Sequence, residues 1–132
     1  MKNIIVLQIV LFCALLSTSL RAQTQTALNQ NATANATKAD QKLNAIYTRI
    51  LTEYKSDTLF TQSLKASQRI WIKFRDAELK MMYPYTEELG SMQRMCVSDY
   101  LEKLTNERIK TLQQWITGTQ EGDVCSGSLK TH

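Results

Sequence analysis

The chain has 132 residues, of which 43% are hydrophobic and 21% charged, with a net charge of +4. That length suits one domain. With one histidine, three cysteines and four glycines, no metal cluster, histidine-based nucleophile relay or phosphate-cradling loop can be assembled from ordered positions.

The N-terminus sets an expected compartment. Lys2 supplies a positive start, residues 4–16 are apolar except Gln8, and small polar residues lead to Arg21-Ala22. This order predicts a secretory signal peptide over 1–22, cleaved after Ala22. The apolar run of 13 residues falls short of the roughly 20 that cross a bilayer, so no stable membrane insertion is expected after cleavage. Phe12 precedes Cys13 where a lipoprotein signal wants a small residue, which argues against a lipid anchor. Cleavage removes Lys2 and Arg21, so 14 of the 16 basic residues remain against 12 acidic ones, a net +2. Such a balance argues against a nucleic-acid partner, which calls for a clustered basic stripe, and against strong electrostatic capture by a membrane. The expected location is periplasmic or secreted.

Residues 23–38 follow as an expected flexible linker. The stretch QTQTALNQNATANAT has one leucine and no charge, too little apolar area to offset the entropy of ordering it. Asn31-Ala32-Thr33 and Asn35-Ala36-Thr37 match the N-glycosylation pattern, although a stretch so rich in Asn and Thr produces it by composition alone. The folded domain is expected over 39–132.

Three helices are predicted there. Over 39–55, Leu43, Ile46, Tyr47, Ile50, Leu51 and Tyr54 form one apolar stripe at helical spacing. Asp40 suits the positive end of that helix, and Ser56-Asp57 ends it and offers a cap for the next. Over about 58–82, Phe60, Leu64, Ser67, Trp71, Phe74, Glu78 and Met81 alternate in steps of four and three, with Ile70 and Ala77 widening the seam. Pro84 stops this helix, and 83–91 (YPYTEELGS) is a loop ending in Ser91 as a candidate N-cap. The third helix spans about 92–116, with Met92, Met95, Cys96, Tyr100, Leu101, Leu104, Leu112, Trp115 and Ile116 inward. Gly118 ends it. The expected fold is all-α, a small three-helix bundle.

Export would leave two cysteines, Cys96 and Cys125. In an oxidising compartment an even count predicts one disulfide, stabilising the fold by roughly 3–4 kcal/mol in the chain-entropy model. The geometry is demanding. Cys96 lies early in the third helix, about 30 Å of helix from its end. The tail up to Cys125 reaches roughly 30 Å fully stretched. The bridge therefore requires an extended C-terminal tail doubling back along the helix, or a helix that ends early or bends.

Gln68, Trp71, Arg75 and Glu78 share one helix face, and Thr105, Arg108 and Leu112 form a matching face on the third helix. Arginine can stack on an indole and bond a carboxylate through its fork. One reading has Arg75, Glu78 and Arg108 satisfying one another across the bundle; the other has Trp71, Arg75, Glu78 and Arg108 shaping a partner-binding surface. Glu87-Glu88 is a carboxylate pair in the loop. Catalysis has no visible apparatus, since the only histidine is the last residue, His132. The chain is read as a non-enzyme without cofactor or metal.

Gln68-Arg69-x-Trp71-x-x-Phe74-Arg75-Asp76, then Cys96, then Leu104-Thr105-x-x-Arg108-x-x-x-Leu112 together resemble the LprI-like lysozyme-inhibitor family of small exported helical domains. The resemblance runs over about 40–125, and Gly122-Asp123-Val124-Cys125 resembles the ending of members from Bacteroidetes-type bacteria. Where many members carry a further cysteine, this chain has Glu78 and Leu79. The resemblance implies an envelope binding protein with a protein partner, lysozyme, inhibited through contact by Glu87-Glu88 or the tail. The alternative is a non-inhibitory module that binds another envelope protein or peptidoglycan.

Overall fold

A seven-residue rhythm organises the fold. In α1 (Lys2–Glu53), Ala32, Ala36, Ala39, Leu43, Ile46 and Ile50 are buried, in alternating steps of four and three. Such a seam faces one neighbour along its whole length. That neighbour is α3 (Ser91–Thr117), which contributes buried Leu104, Thr105, Ile109 and Leu112. A computed structural model describes residues 2–85 and 90–132 of the chain. Second in chain order, α2 (Thr58–Met82) packs beside this pair, giving an all-α bundle of three helices as expected.

Cross-helix bonds fix the directions. Thr33 meets Ser98 at 3.4 Å, and the Tyr54 hydroxyl donates to the Trp115 carbonyl at 3.1 Å, so α1 and α3 run parallel. The Arg108–Ser67 and Tyr100–Glu78 bonds make α2 antiparallel to α3. Asp57 caps α2, its carboxylate accepting the Phe60 N–H at 2.9 Å. Gly90, not Ser91, occupies the cap position of α3, without a side-chain bond. Gly118 closes α3 at φ 70°, where its N–H donates to the Gln114 carbonyl. A side chain there would meet the His132 ring and the Lys130 carbonyl, which together with the positive φ makes the position a glycine's.

The core joins Leu43, Ile46 and Ile50 of α1 to Leu64 of α2 and to Ile109 and Leu112 of α3. Each such aliphatic side chain contributes about 1.5–3 kcal/mol on full burial. Tyr54, Phe60 and Trp115 stack beside it, with ring centroids 4.6 and 6.2 Å apart.

Three expectations need correction. Residues 23–38 are not a loose tether: they are helical, and Ala32 and Ala36 pack into the seam. Alanine buries little area, yet it loses no side-chain entropy and lets helices approach closely, and the polar residues between face outward. The helical body thus extends upstream of residue 39.

The inward face of α2 is also turned from the expected one. Gln68 is buried in place of Ser67, and Phe74 and Met81 are exposed. The seam runs instead through Phe60, Leu64, Gln68, Trp71 and Arg75.

Finally, Cys96 and Cys125 are free thiols, not a disulfide. Helix α3 continues unbroken to Thr117, and the tail folds on itself at its far end. Thr119 pairs with Thr131, the Thr119 N–H donates to the Lys130 carbonyl, and the His132 N–H returns to Thr119. Lys130 meets the Glu53 carboxylate at 2.5 Å. The tail therefore stays at the end of the bundle distant from Cys96, with Cys125 exposed.

Candidate functional site

Trp71 is the hub of a cluster where α2 crosses α3. The Arg75 guanidinium carbon lies 5.3 Å from its ring centroid and that of Arg108 5.9 Å. The indole is half-buried and packs on the core. Each cation gains roughly 0.5–1 kcal/mol or more from such a ring face.

The ionic partners differ from the mutual network that spacing suggests. Arg75 donates twice to the adjacent Asp76, at 2.8 and 2.9 Å, and lies 3.8 Å from Asp40 of α1. Glu78 instead accepts from the Tyr100 hydroxyl at 3.2 Å. Burial, and then the bond to Glu78, hold the Tyr100 phenol above its usual range. Arg108 has neutral partners: its Nε donates to Gln68 Oε1 at 3.1 Å and its Nη2 to Ser67 Oγ at 3.0 Å. So Trp71, Arg75 and Arg108 do come together, Glu78 joins Tyr100 apart from them, and Asp76 pairs with Arg75. Glu87 and Glu88 lie outside the described residues.

Thr105 is almost fully buried, its hydroxyl donating to the Leu101 carbonyl one turn back at 2.8 Å. That bond satisfies the hydroxyl and leaves the face of α3 free to pack. Arg108, one turn further on, reaches the α2 junction.

Beside Arg108 a cleft of about 210 Å³ opens between α2, α3 and the tail. Phe60, Leu64 and Leu112 form its apolar wall, and Ser63, Ser128 and Arg108 are among its polar lining. Trp115 also lines it and donates its indole N–H to Ser128 Oγ at 3.0 Å, holding the tail over one side. Sequence reasoning passed over Ser67, Ser128 and Tyr100 as site residues. Ser67 and Tyr100 stood in the expected inner stripes of their helices and in no site, and Ser128 enters through a fold-back of the tail that local pattern does not announce.

Among the described residues there is no group of three or more His, Cys, Asp or Glu side chains placed to hold a metal, and no helix long and apolar enough to cross a membrane. The fold and cluster define a class: a small three-helix domain whose most built feature is an arginine–tryptophan–arginine stack. The sequence model of the family described as Lysozyme inhibitor LprI matches residues 17–112. The chain belongs to that family. The match holds Trp71, Arg75 and Arg108 and ends at Leu112, leaving the tail and Cys125 beyond it. No curated protein and no solved structure gives a significant match.

Proposed function

We propose that this chain is an exported envelope protein that binds lysozyme and inhibits it by protein–protein contact, without catalysis of its own. The family match over residues 17–112 carries this reading. A cleavable signal peptide over 1–22 would deliver it to the periplasm or outside the cell, where such a target is met.

The contact surface we assign is the outer face of α2. Ile70, Phe74 and Met81 are 67%, 52% and 68% exposed and follow one another at helical spacing. Single exposed apolar residues are ordinary, but a contiguous stripe marks an interaction face. Arg69, Lys73 and Lys80 belong to the same helix. Lysozyme works through a pair of carboxylates set in a cleft, and an apolar ridge flanked by cations is complementary to that cleft. The Trp71 stack then serves as the scaffold that presents the ridge.

The test is the rate of lysozyme-driven cell-wall lysis with purified protein. A saturable fall in rate is expected, weakened about tenfold by Phe74→Asp, which removes an aromatic anchor from the face. Because Phe74 is exposed, that variant should keep its fold, within about 0.5 kcal/mol. An unchanged lysis rate at large molar excess of the wild-type protein would remove inhibition. Capture from cell-wall fragments or envelope extract would then identify a non-inhibitory binding role.

A further inference from the structure

Among the described residues, Arg108 is the single charged side chain lining the cleft between α2, α3 and the tail. Its hydrogen bonds go to an amide oxygen and a hydroxyl. Among the described residues no carboxylate lies within ion-pair distance of it, although Arg49, Arg75 and Lys130 all have one. A half-buried cation without a counter-ion is an unusual arrangement, because burial penalises charge that nothing compensates. Burial accordingly pushes the Arg108 guanidinium below its usual range.

The geometry leaves capacity for a ligand. Gln68 and Ser67 take Nε and Nη2, and Nη1 donates to no described residue. No buried side-chain nitrogen lacks a partner, so Nη1 is reachable from solvent. The N–H groups of Nη1, together with the second N–H of Nη2, are suited to a planar two-oxygen anion. Next to it stand the apolar surfaces of Phe60, Leu64 and Leu112 and the hydroxyls of Ser63 and Ser128. The volume, about 210 Å³, is below the roughly 300 Å³ at which sites for drug-sized molecules begin. It suits one small apolar group.

We infer that this cleft binds a carboxylate carried beside an apolar side chain, the chemistry of a peptide's C-terminal residue. Arg108 takes the carboxylate, the Phe60–Leu64–Leu112 wall takes the side chain, and the serine hydroxyls are available to the adjoining amide. This site is separate from the outer face of α2 and does not depend on lysozyme being the target.

The inference is tested with N-acetylleucine and its uncharged partner N-acetylleucinamide, titrated into the full protein at fixed ionic strength. The indole N–H of Trp115 and the Nε–H of Arg108 are followed by NMR. Saturable shifts with the acid are expected, with binding of the amide weaker by about tenfold, the usual loss when a charge-assisted bond is removed. A short peptide ending in leucine should compete with the acid, and its C-terminally amidated form should not. Arg108→Gln should bring the acid down to the amide's level, and Arg108→Lys should retain part of the difference. Equal binding of acid and amide by the wild-type protein overturns the inference, as does the absence of saturable shifts with both the acid and the leucine-ended peptide. Neither result depends on a variant folding.

Discussion

Trp71 shows how one ring can hold a junction together. It is half-buried, touches the core and lies near two guanidiniums. Full burial would make Trp71→Ala cost about 3–5 kcal/mol, and partial exposure lowers the expected loss to roughly 2–3 kcal/mol. Denaturant unfolding measures it directly, and an unchanged midpoint would mean the ring belongs to a binding surface only. The spacing of Gln68, Trp71, Arg75 and Glu78 made their shared face legible. Their partners were not, because an ion pair is decided by what another helix places nearby. Asp40 of α1 and the neighbouring Asp76 took Arg75, and Tyr100 took Glu78.

At the level of the helices, α1 and α2 depart from their sequence patterns in opposite ways. Just upstream of Leu43, helix α1 packs through residues with hardly any side chain, Ala32, Ala36 and Ala39. Ala36 is 5% exposed within the seam, so Ala36→Leu would push α1 and α3 apart. A loss of about 1–3 kcal/mol is expected from such overpacking, read as a lowered unfolding midpoint. Stability equal to wild type would show that the stretch of α1 around Ala36 does not pack closely on α3. The low apolar content of residues 23–38 suggested a tether because area was weighed, while closeness of approach was not. Helix α2 has the reverse problem. It carries more apolar residues than its buried face can use, and Ile70, Phe74 and Met81 are left outside. Two apolar stripes on one helix are ambiguous in one dimension, and only packing against α3 selects between them.

At the scale of the whole molecule, the tail ties the C-terminal ends of α1 and α3 together. Lys130 bonds Glu53, which also pairs with Arg49, and lies 5.0 Å from the Tyr54 ring centroid. The bond from Lys130, then that from Arg49, lowers the Glu53 pKa. A lowered carboxylate pKa gives a contribution present above the ordinary value, about 4, and lost as pH falls through the lowered one. Acidification should therefore loosen the tail before the core. In NMR, the Lys130 and Thr131 amides should move toward unstructured shifts in acid while Leu112 holds. Glu53→Gln should produce the same change at neutral pH. Tail shifts that stay fixed through the acid titration would show that another contact anchors it.

The sequence by itself determined three helices, their boundaries around Asp57, Pro84 and Gly118, the shared face of Trp71 and Arg75, and the family. These follow from residue spacing, backbone preferences and short motifs, which are local properties. The tertiary structure decided what no local rule contains: which stripe of α2 turns inward, that an alanine seam joins α1 to α3, and that Cys96 and Cys125 remain apart. It also left Arg108 facing a cleft with no counter-ion among the described residues. Those outcomes depend on distances between segments far apart in the chain, set when three rods and a folded-back tail share one core.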